Sequence, residues 1–156
     1  MELNIGDKAP EFSLKADDEQ TISLRDLRGK KVILYFYPKD STPGCTQEAC
    51  DFSGSFAELS RQNAVVLGVS KDSPQSHRRF KEKYSLPFPL LCDTDAKVCV
   101  AYGVMNPKSM YGKTFLAIQR STFLIDEEGI IQGIWRQVKV PKHVETVFNH
   151  LLQLTE

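Results

Sequence analysis

Residues 32–50 read Val32-Ile33-Leu34-Tyr35-Phe36-Tyr37-Pro38-Lys39-Asp40-Ser41-Thr42-Pro43-Gly44-Cys45-Thr46-Gln47-Glu48-Ala49-Cys50. The first six form a continuous apolar run of β-branched and aromatic residues, which reads as a strand buried on both faces. Pro38 stops it. A short loop leads to Thr42, a good N-cap residue, and Pro43 sits at the first helical position, where its missing N–H costs nothing. Cys45 then falls at the third helical position. Its sulfur lies in the first turn, beside unpaired backbone N–H groups and the positive end of the helix dipole.

Outward from this segment the chain alternates between strands and helices. Short strands are predicted at 12–14 and Thr21–Ser23, around the turn-rich Ala16-Asp17-Asp18-Glu19. A helix is predicted over 44–61, where Ala49, Phe52, Phe56 and Leu59 recur at three and four. A second buried strand follows at Ala64–Ser70, then a polar helix at Pro74–Tyr84 opened by Asp72 and Ser73. A short strand at Leu90–Cys92 and a short helix at 95–102, ending at Gly103, come next. Residues 121–126 and 130–136 form a hairpin across Glu127-Glu128-Gly129. A terminal helix spans 142–154 with Val144, Val147, Phe148, Leu151 and Leu152 on its apolar face. Nothing marks a domain boundary, so residues 1–156 read as one domain. The order predicts an α/β fold: a central mixed sheet, parallel at the first crossover and antiparallel at the hairpin, with helices on both faces.

The position of Cys45 has a chemical consequence. A free thiol has a pKa of about 8.5, and helix N-termini and nearby cations lower that to roughly 3.5–7.5. The thiolate is the nucleophile, the same N–H groups can hold an incoming oxygen, and Gly44 lets a small substrate approach the backbone. Cys50 lies five residues on. In an ideal helix this is a rotation of about 140° and a rise of about 7.5 Å, which puts the two Cα atoms roughly 8–9 Å apart. A disulfide needs about 4.4–6.8 Å. Cys45 and Cys50 therefore cannot be bridged until the turn between them unwinds. Asp51-Phe52-Ser53-Gly54-Ser55 is poor in helix formers, which makes unwinding cheap.

The segment Pro38-Lys-Asp-Ser-Thr42-Pro-Gly-Cys45 resembles the Pro-x-x-x-Thr-x-x-Cys active-site motif of peroxiredoxins. Thr-Gln-Glu-Ala-Cys50 is similar to the bacterioferritin comigratory protein, or peroxiredoxin Q, group, in which the resolving cysteine lies five residues downstream. Gly6-Asp7-x-Ala9-Pro10-x-Phe12 and Arg120-Ser-Thr-Phe-Leu-Ile-Asp126 extend the resemblance over almost the whole chain. It implies a thioredoxin-like fold and thiol-dependent reduction of hydrogen peroxide and organic hydroperoxides, with thioredoxin as the usual reductant and no cofactor or metal. It makes Cys45 peroxidatic and Cys50 resolving. Thr42 would hydrogen-bond the thiolate and the peroxide oxygen, Pro38 would shield the pocket, and Arg120 would set its guanidinium beside the thiolate. Substrate would thus meet Thr42, Gly44, Cys45 and Arg120. Glu48 is a candidate anchor for Arg120. The resemblance and the intramolecular resolving thiol together imply a monomer.

Composition narrows the alternatives. The chain has 156 residues, zero formal net charge, 41% hydrophobic and 26% charged residues and four cysteines. Balanced charge gives no case for a nucleic-acid groove, and no apolar run approaches a membrane span. The N-terminal residues carry no basic start or apolar signal core, which predicts a reducing, cytoplasmic setting. Cys92 in Leu90-Leu91-Cys92 and Cys99 in Val98-Cys99-Val100 read as buried hydrophobes. Cysteine spacings of four and six intervening residues lack the two-residue knuckle of zinc sites, and His77, His143 and His150 share no ligand-like spacing with them. A disulfide oxidoreductase on the same fold would use Cys-x-x-Cys, which is absent here. A redox-sensing or chaperone protein is the remaining alternative.

Overall fold

The computed structural model describes residues 2–154. Its elements are β1 (Ser13–Ala16), β2 (Thr21–Ser23), β3 (Lys31–Phe36), α1 (Pro43–Gly54), α2 (Phe56–Arg61), β4 (Ala64–Ser70), α3 (Pro74–Tyr84), β5 (Leu90–Cys92), α4 (Lys97–Ala101), β6 (Met105–Met110), β7 (Lys113–Ile118), β8 (Ser121–Ile125), β9 (Ile131–Trp135) and α5 (His143–Leu154). Seven strands form one sheet in the order β2-β1-β5-β4-β3-β8-β9. β3 pairs parallel with β4, and β4 pairs parallel with β5. β8 pairs antiparallel with β3 and with β9. The sheet is mixed, as the crossover and the hairpin predict.

β3 is central and buried along its whole length. Because side chains alternate across a strand, it supplies both cores. Val32, Leu34 and Phe36 enter one cluster with Phe12, Cys99, Tyr102 and Phe123. Ile33, Tyr35 and Tyr37 enter the other with Cys45, Phe52, Phe80 and Leu151. α1, α3 and α5 cover the second face, while α4 and the N-terminal segment cover the first. In α5, Val144, Val147 and Leu151 are the inward stripe that the 3.6-residue period predicts.

Two features differ from the sequence reading. The helix expected over 44–61 is two helices, α1 and α2, broken at Ser55 (φ −102°, ψ 3°). Ser53, Gly54 and Ser55 are weak helix formers, and Ser55 N–H turns back to the Phe52 carbonyl at 3.2 Å. The second feature is an additional hairpin. β6 and β7 form a separate two-stranded ribbon closed by Tyr111 and Gly112, both at positive φ (53° and 76°). That pairing of left-handed residues is the twist-matched hairpin turn. The ribbon is mostly exposed, so it has no alternation of apolar and polar residues to announce it, and Pro107 argues against a strand except in such an edge position.

At the start of α5, His143 is buried. Its Nε2 pairs with the Thr122 hydroxyl at 2.8 Å, and the rings of Phe52 and Trp135 lie edge-on to it. Burial, assisted by the nearby Arg120 charge, holds its imidazole down to about 4. A base whose folded value is depressed stabilises the fold above its unfolded value of about 6.5, and that stability is lost as pH falls toward the folded value. Denaturant unfolding at pH 7 and pH 4.5 should therefore show wild type losing about 2 kcal/mol more than His143→Gln over this interval. Equal losses in both proteins would remove His143 from the acid response.

Candidate active site

The end of β3, the start of α1 and the start of β8 meet at Cys45. Register does the placing. Phe36 pairs with Ser121, so Arg120 lies level with the point where the chain leaves the sheet at Tyr37 and turns toward α1. Pro43 opens α1, and Cys45 faces inward with Ala49 and Phe52, only 1% exposed.

Arg120 links the site. Its Nη2 donates to Cys45 Sγ at 3.3 Å, and its Nη1 donates to Glu48 Oε1 at 2.7 Å. Gly44 makes room for this head group: a Cβ there would stand 3.1 Å from Nη2. The close approach that Gly44 allows is therefore made by the guanidinium. Glu48 is fully buried, and its Oε2 has no partner. Burial lifts its carboxyl to about 7, although Arg120 pulls the other way and Asp51 adds a small push upward. Burial opposes charge on Arg120 too, but Glu48 and Cys45 outweigh it and hold the guanidinium more firmly protonated than usual. Tyr35 packs beneath Cys45, stacked on Phe52 at 4.6 Å. Burial, then Glu48 and Cys45, pushes its phenol well up, so it stays neutral.

Thr42 occupies the N-cap position in extended conformation, and its carbonyl accepts from Thr46 N–H at 2.8 Å. Its side chain does not cap the helix as the sequence suggests. The hydroxyl donates instead to the Lys39 carbonyl at 2.9 Å. Two things follow. The first-turn amides of Gly44 and Cys45 keep no side-chain acceptor, which leaves them open to an anionic guest. The Thr42 oxygen, its one proton already used, can only accept a hydrogen bond. It therefore suits a hydrogen-bond donor on a guest, and it gives no hydrogen bond to Cys45 in this state. Pro38 lies exposed in the loop.

All four thiols are free. Cys50 is half-buried within the intact helix α1. Cys92 and Cys99 are buried, as their apolar neighbours suggest. Burial, followed by Asp93, pushes the Cys99 thiol well above its usual range, so that sulfur is a protonated core group. The sequence reading missed Asp40. It belongs to the loop of Pro38 and Thr42 but turns inward, onto His77. A lone aspartate among polar loop residues carries no signal of burial.

A family model described as the AhpC/TSA family matches residues 5–134. Peroxiredoxin Bcp of Bacillus subtilis is 48% identical over 156 residues, covering 100% of this chain and 99% of that protein. A crystal structure of a cysteine-to-serine mutant of Xylella fastidiosa peroxiredoxin Q superposes with a TM-score of 0.94 at 41% identity, covering 100% of this chain and 99% of the other. A structure of the Xanthomonas campestris bacterioferritin comigratory protein, whose subject is alkyl peroxide reduction, gives 0.90 at 41% identity over 93% and 92% of the two chains. The mixed sheet between helices is accordingly the thioredoxin-like fold, and the chain belongs to the AhpC/TSA family, within its peroxiredoxin Bcp/Q group.

Proposed function

We propose that this thiol-dependent peroxidase works through Cys45 and Cys50. The observation that carries the reading is the 3.3 Å contact from the Arg120 guanidinium to Cys45 Sγ, at a helix start with free amides. A permanent cation and the helix end both favour the thiolate. In the first step the Cys45 thiolate attacks one peroxide oxygen. The S–O bond forms as the O–O bond breaks, the attacked oxygen keeps its hydrogen, and the other oxygen takes a proton from solvent and leaves as water or an alcohol. The Gly44 and Cys45 amides and Arg120 donate to the oxygens as charge moves onto them, while Thr42 accepts from the protonated one.

Cys45 is then a sulfenic acid. Cys50 attacks its sulfur after α1 unwinds, water leaves, and an intramolecular disulfide remains. A dithiol reductant exchanges that disulfide back to two thiols. Peroxides and a thiol reductant are the reaction partners that the family implies. Hydrogen peroxide and organic hydroperoxides as substrates, thioredoxin as reductant, a monomer and a cytoplasmic setting are the finer assignments we propose. Among the described residues, no helix is long and apolar enough to cross a membrane.

Replacing Cys45 with Ser should abolish peroxide consumption, and an undiminished rate would refute the assignment. Cys50→Ser should still oxidise at Cys45 but form no intramolecular disulfide. Peptide mapping of peroxide-treated wild type should return a Cys45–Cys50 link, and a link from Cys45 to Cys92 or Cys99 would displace Cys50 as the resolving thiol. Gly44→Ala should push the Arg120 head off Cys45 and slow oxidation of Cys45 by about 3–10-fold, read by stopped-flow, since small misplacements at a reacting centre are costly. A wild-type rate would mean that the guanidinium yields without consequence.

A further inference from the structure

We infer that the buried Asp40–His77 ion pair is the device that positions the loop of residues 38–42, and with it Thr42, over Cys45. The inference rests on Cys45 being the peroxide-reactive thiol. Asp40 stands two residues before Thr42, between the exposed Lys39 and Ser41, yet its own side chain is buried. Oδ1 accepts from the Tyr37 hydroxyl at 2.5 Å. Oδ2 accepts from the Ser76 hydroxyl at 2.8 Å and faces His77 Nδ1 at 2.7 Å. The Asp40 backbone N–H donates to Asp72 Oδ2 at 2.9 Å, and that oxygen also takes the Ser70 hydroxyl at 2.6 Å. One aspartate thus ties the loop to its own strand end, to β4 and to the first turns of α3.

The charge state follows from the partners. His77 Nε2 lies 2.9 Å from the Leu91 carbonyl, which can only accept, so Nε2 carries a proton. Nδ1 faces a carboxylate oxygen, which also calls for a donor. Both nitrogens protonated make an imidazolium. Burial alone would lower its pKa, but Asp40, the Cys92 side chain and the Leu91 carbonyl together raise it to about 10. The donor atoms of Asp40, Asp72 and His77 lie within 4.8 Å of one another. Because both ring nitrogens are already engaged, this cluster is an ion pair and not a metal centre.

The loop needs such an anchor. Ser41 has φ 65°, a left-handed conformation that costs a non-glycine residue energy and persists only where the surroundings over-determine it. It sits between the anchored Asp40 and Thr42, so the strained residue sets the direction in which Thr42 enters α1. Neither Asp40 nor His77 hydrogen-bonds Cys45. They act through the loop, as positioning residues.

The test uses the full chain carrying Cys50→Ser, so that only the first oxidation is read. Two rates are measured at Cys45 by mass spectrometry: oxidation by hydrogen peroxide, trapped as a sulfenic adduct, and alkylation by iodoacetamide, which needs no peroxide site. Asp40→Asn and His77→Gln should each slow oxidation by about 10–100-fold while alkylation stays within about two-fold. The double variant should be no slower than the worse single one, because the two residues form one unit. Val32→Ala, at the far end of β3 in the opposite core, should lose stability and keep its oxidation rate. If Asp40→Asn does not fold, Ser76→Ala removes one bond to the same carboxylate oxygen and should slow oxidation about three-fold with alkylation unchanged. Wild-type oxidation in the folded variants, additive effects, or equal losses of both rates would overturn the inference. Adducts forming away from Cys45 in the parent chain would instead overturn the assignment of Cys45 itself.

Discussion

One half-buried cation holds the site together. Arg120 donates to Cys45 Sγ and to Glu48 Oε1, so a single positive charge faces two groups that can each become negative. In a low-dielectric interior, two anions on one cation leave an uncompensated charge. The structure places that burden on Glu48, whose second oxygen has no partner and whose carboxyl is lifted by burial to about 7. At neutral pH Glu48 is therefore poised between its two forms. When Glu48 is protonated, Arg120 is left to the Cys45 sulfur. When it is ionised, it grips the arginine harder. Either way the guanidinium keeps its place beside the sulfur, which a reaction centre built on one 3.3 Å contact requires.

The fold supplies this contact by register. β3 and β8 are antiparallel neighbours, and the pair Phe36–Ser121 sets Arg120 level with the strand end from which the Cys45 loop departs. α1 then returns across the same face, with Cys45, Ala49 and Phe52 seated over Tyr35. Two neighbouring segments, the end of β3 and the start of α1, meet a third that lies 75 residues on, because one interior strand carries both the loop and the pairing that delivers the arginine.

Much of this is legible in the sequence, and the reason is local chemistry. The apolar run from Val32, the stop at Pro38 and the helix start at Pro43 are signals within a few residues of one another, and five-residue spacing within a helix suffices to say that Cys45 and Cys50 cannot bond in place. What stays hidden depends on long-range pairing. Asp40 reads as a solvated loop residue until α3 brings His77 to it, 37 residues on. Thr42 reads as a side-chain cap until its hydroxyl is seen to prefer the Lys39 carbonyl. The β6–β7 ribbon is hidden for a different reason. Tyr111 at its turn is 96% exposed, and a ribbon buried only near its base, at Ile118, leaves no periodic trace.

The remaining tension lies within α1, where the proposed cycle needs a helix that is firm for attack and loose for resolution. Several features make it loose. It has no side-chain cap, no acidic residue in its first turn, no basic residue in its last and a break at Ser55. Phe52 opposes them. It is fully buried, stacked on Tyr35 and edge-on to His143, and withdrawing such a side chain from the core costs about 1.5–3 kcal/mol. That cost is enough to keep the resting helix wound, with Cys45 packed under Arg120, while remaining smaller than the stability of a typical domain. In the proposed cycle, oxidation of Cys45 changes the balance, because the added oxygen stands where the Arg120 guanidinium meets the bare sulfur. On the proposed roles of the two thiols, the contact that positions Cys45 for attack is thus also the one whose loss helps release the turn for Cys50.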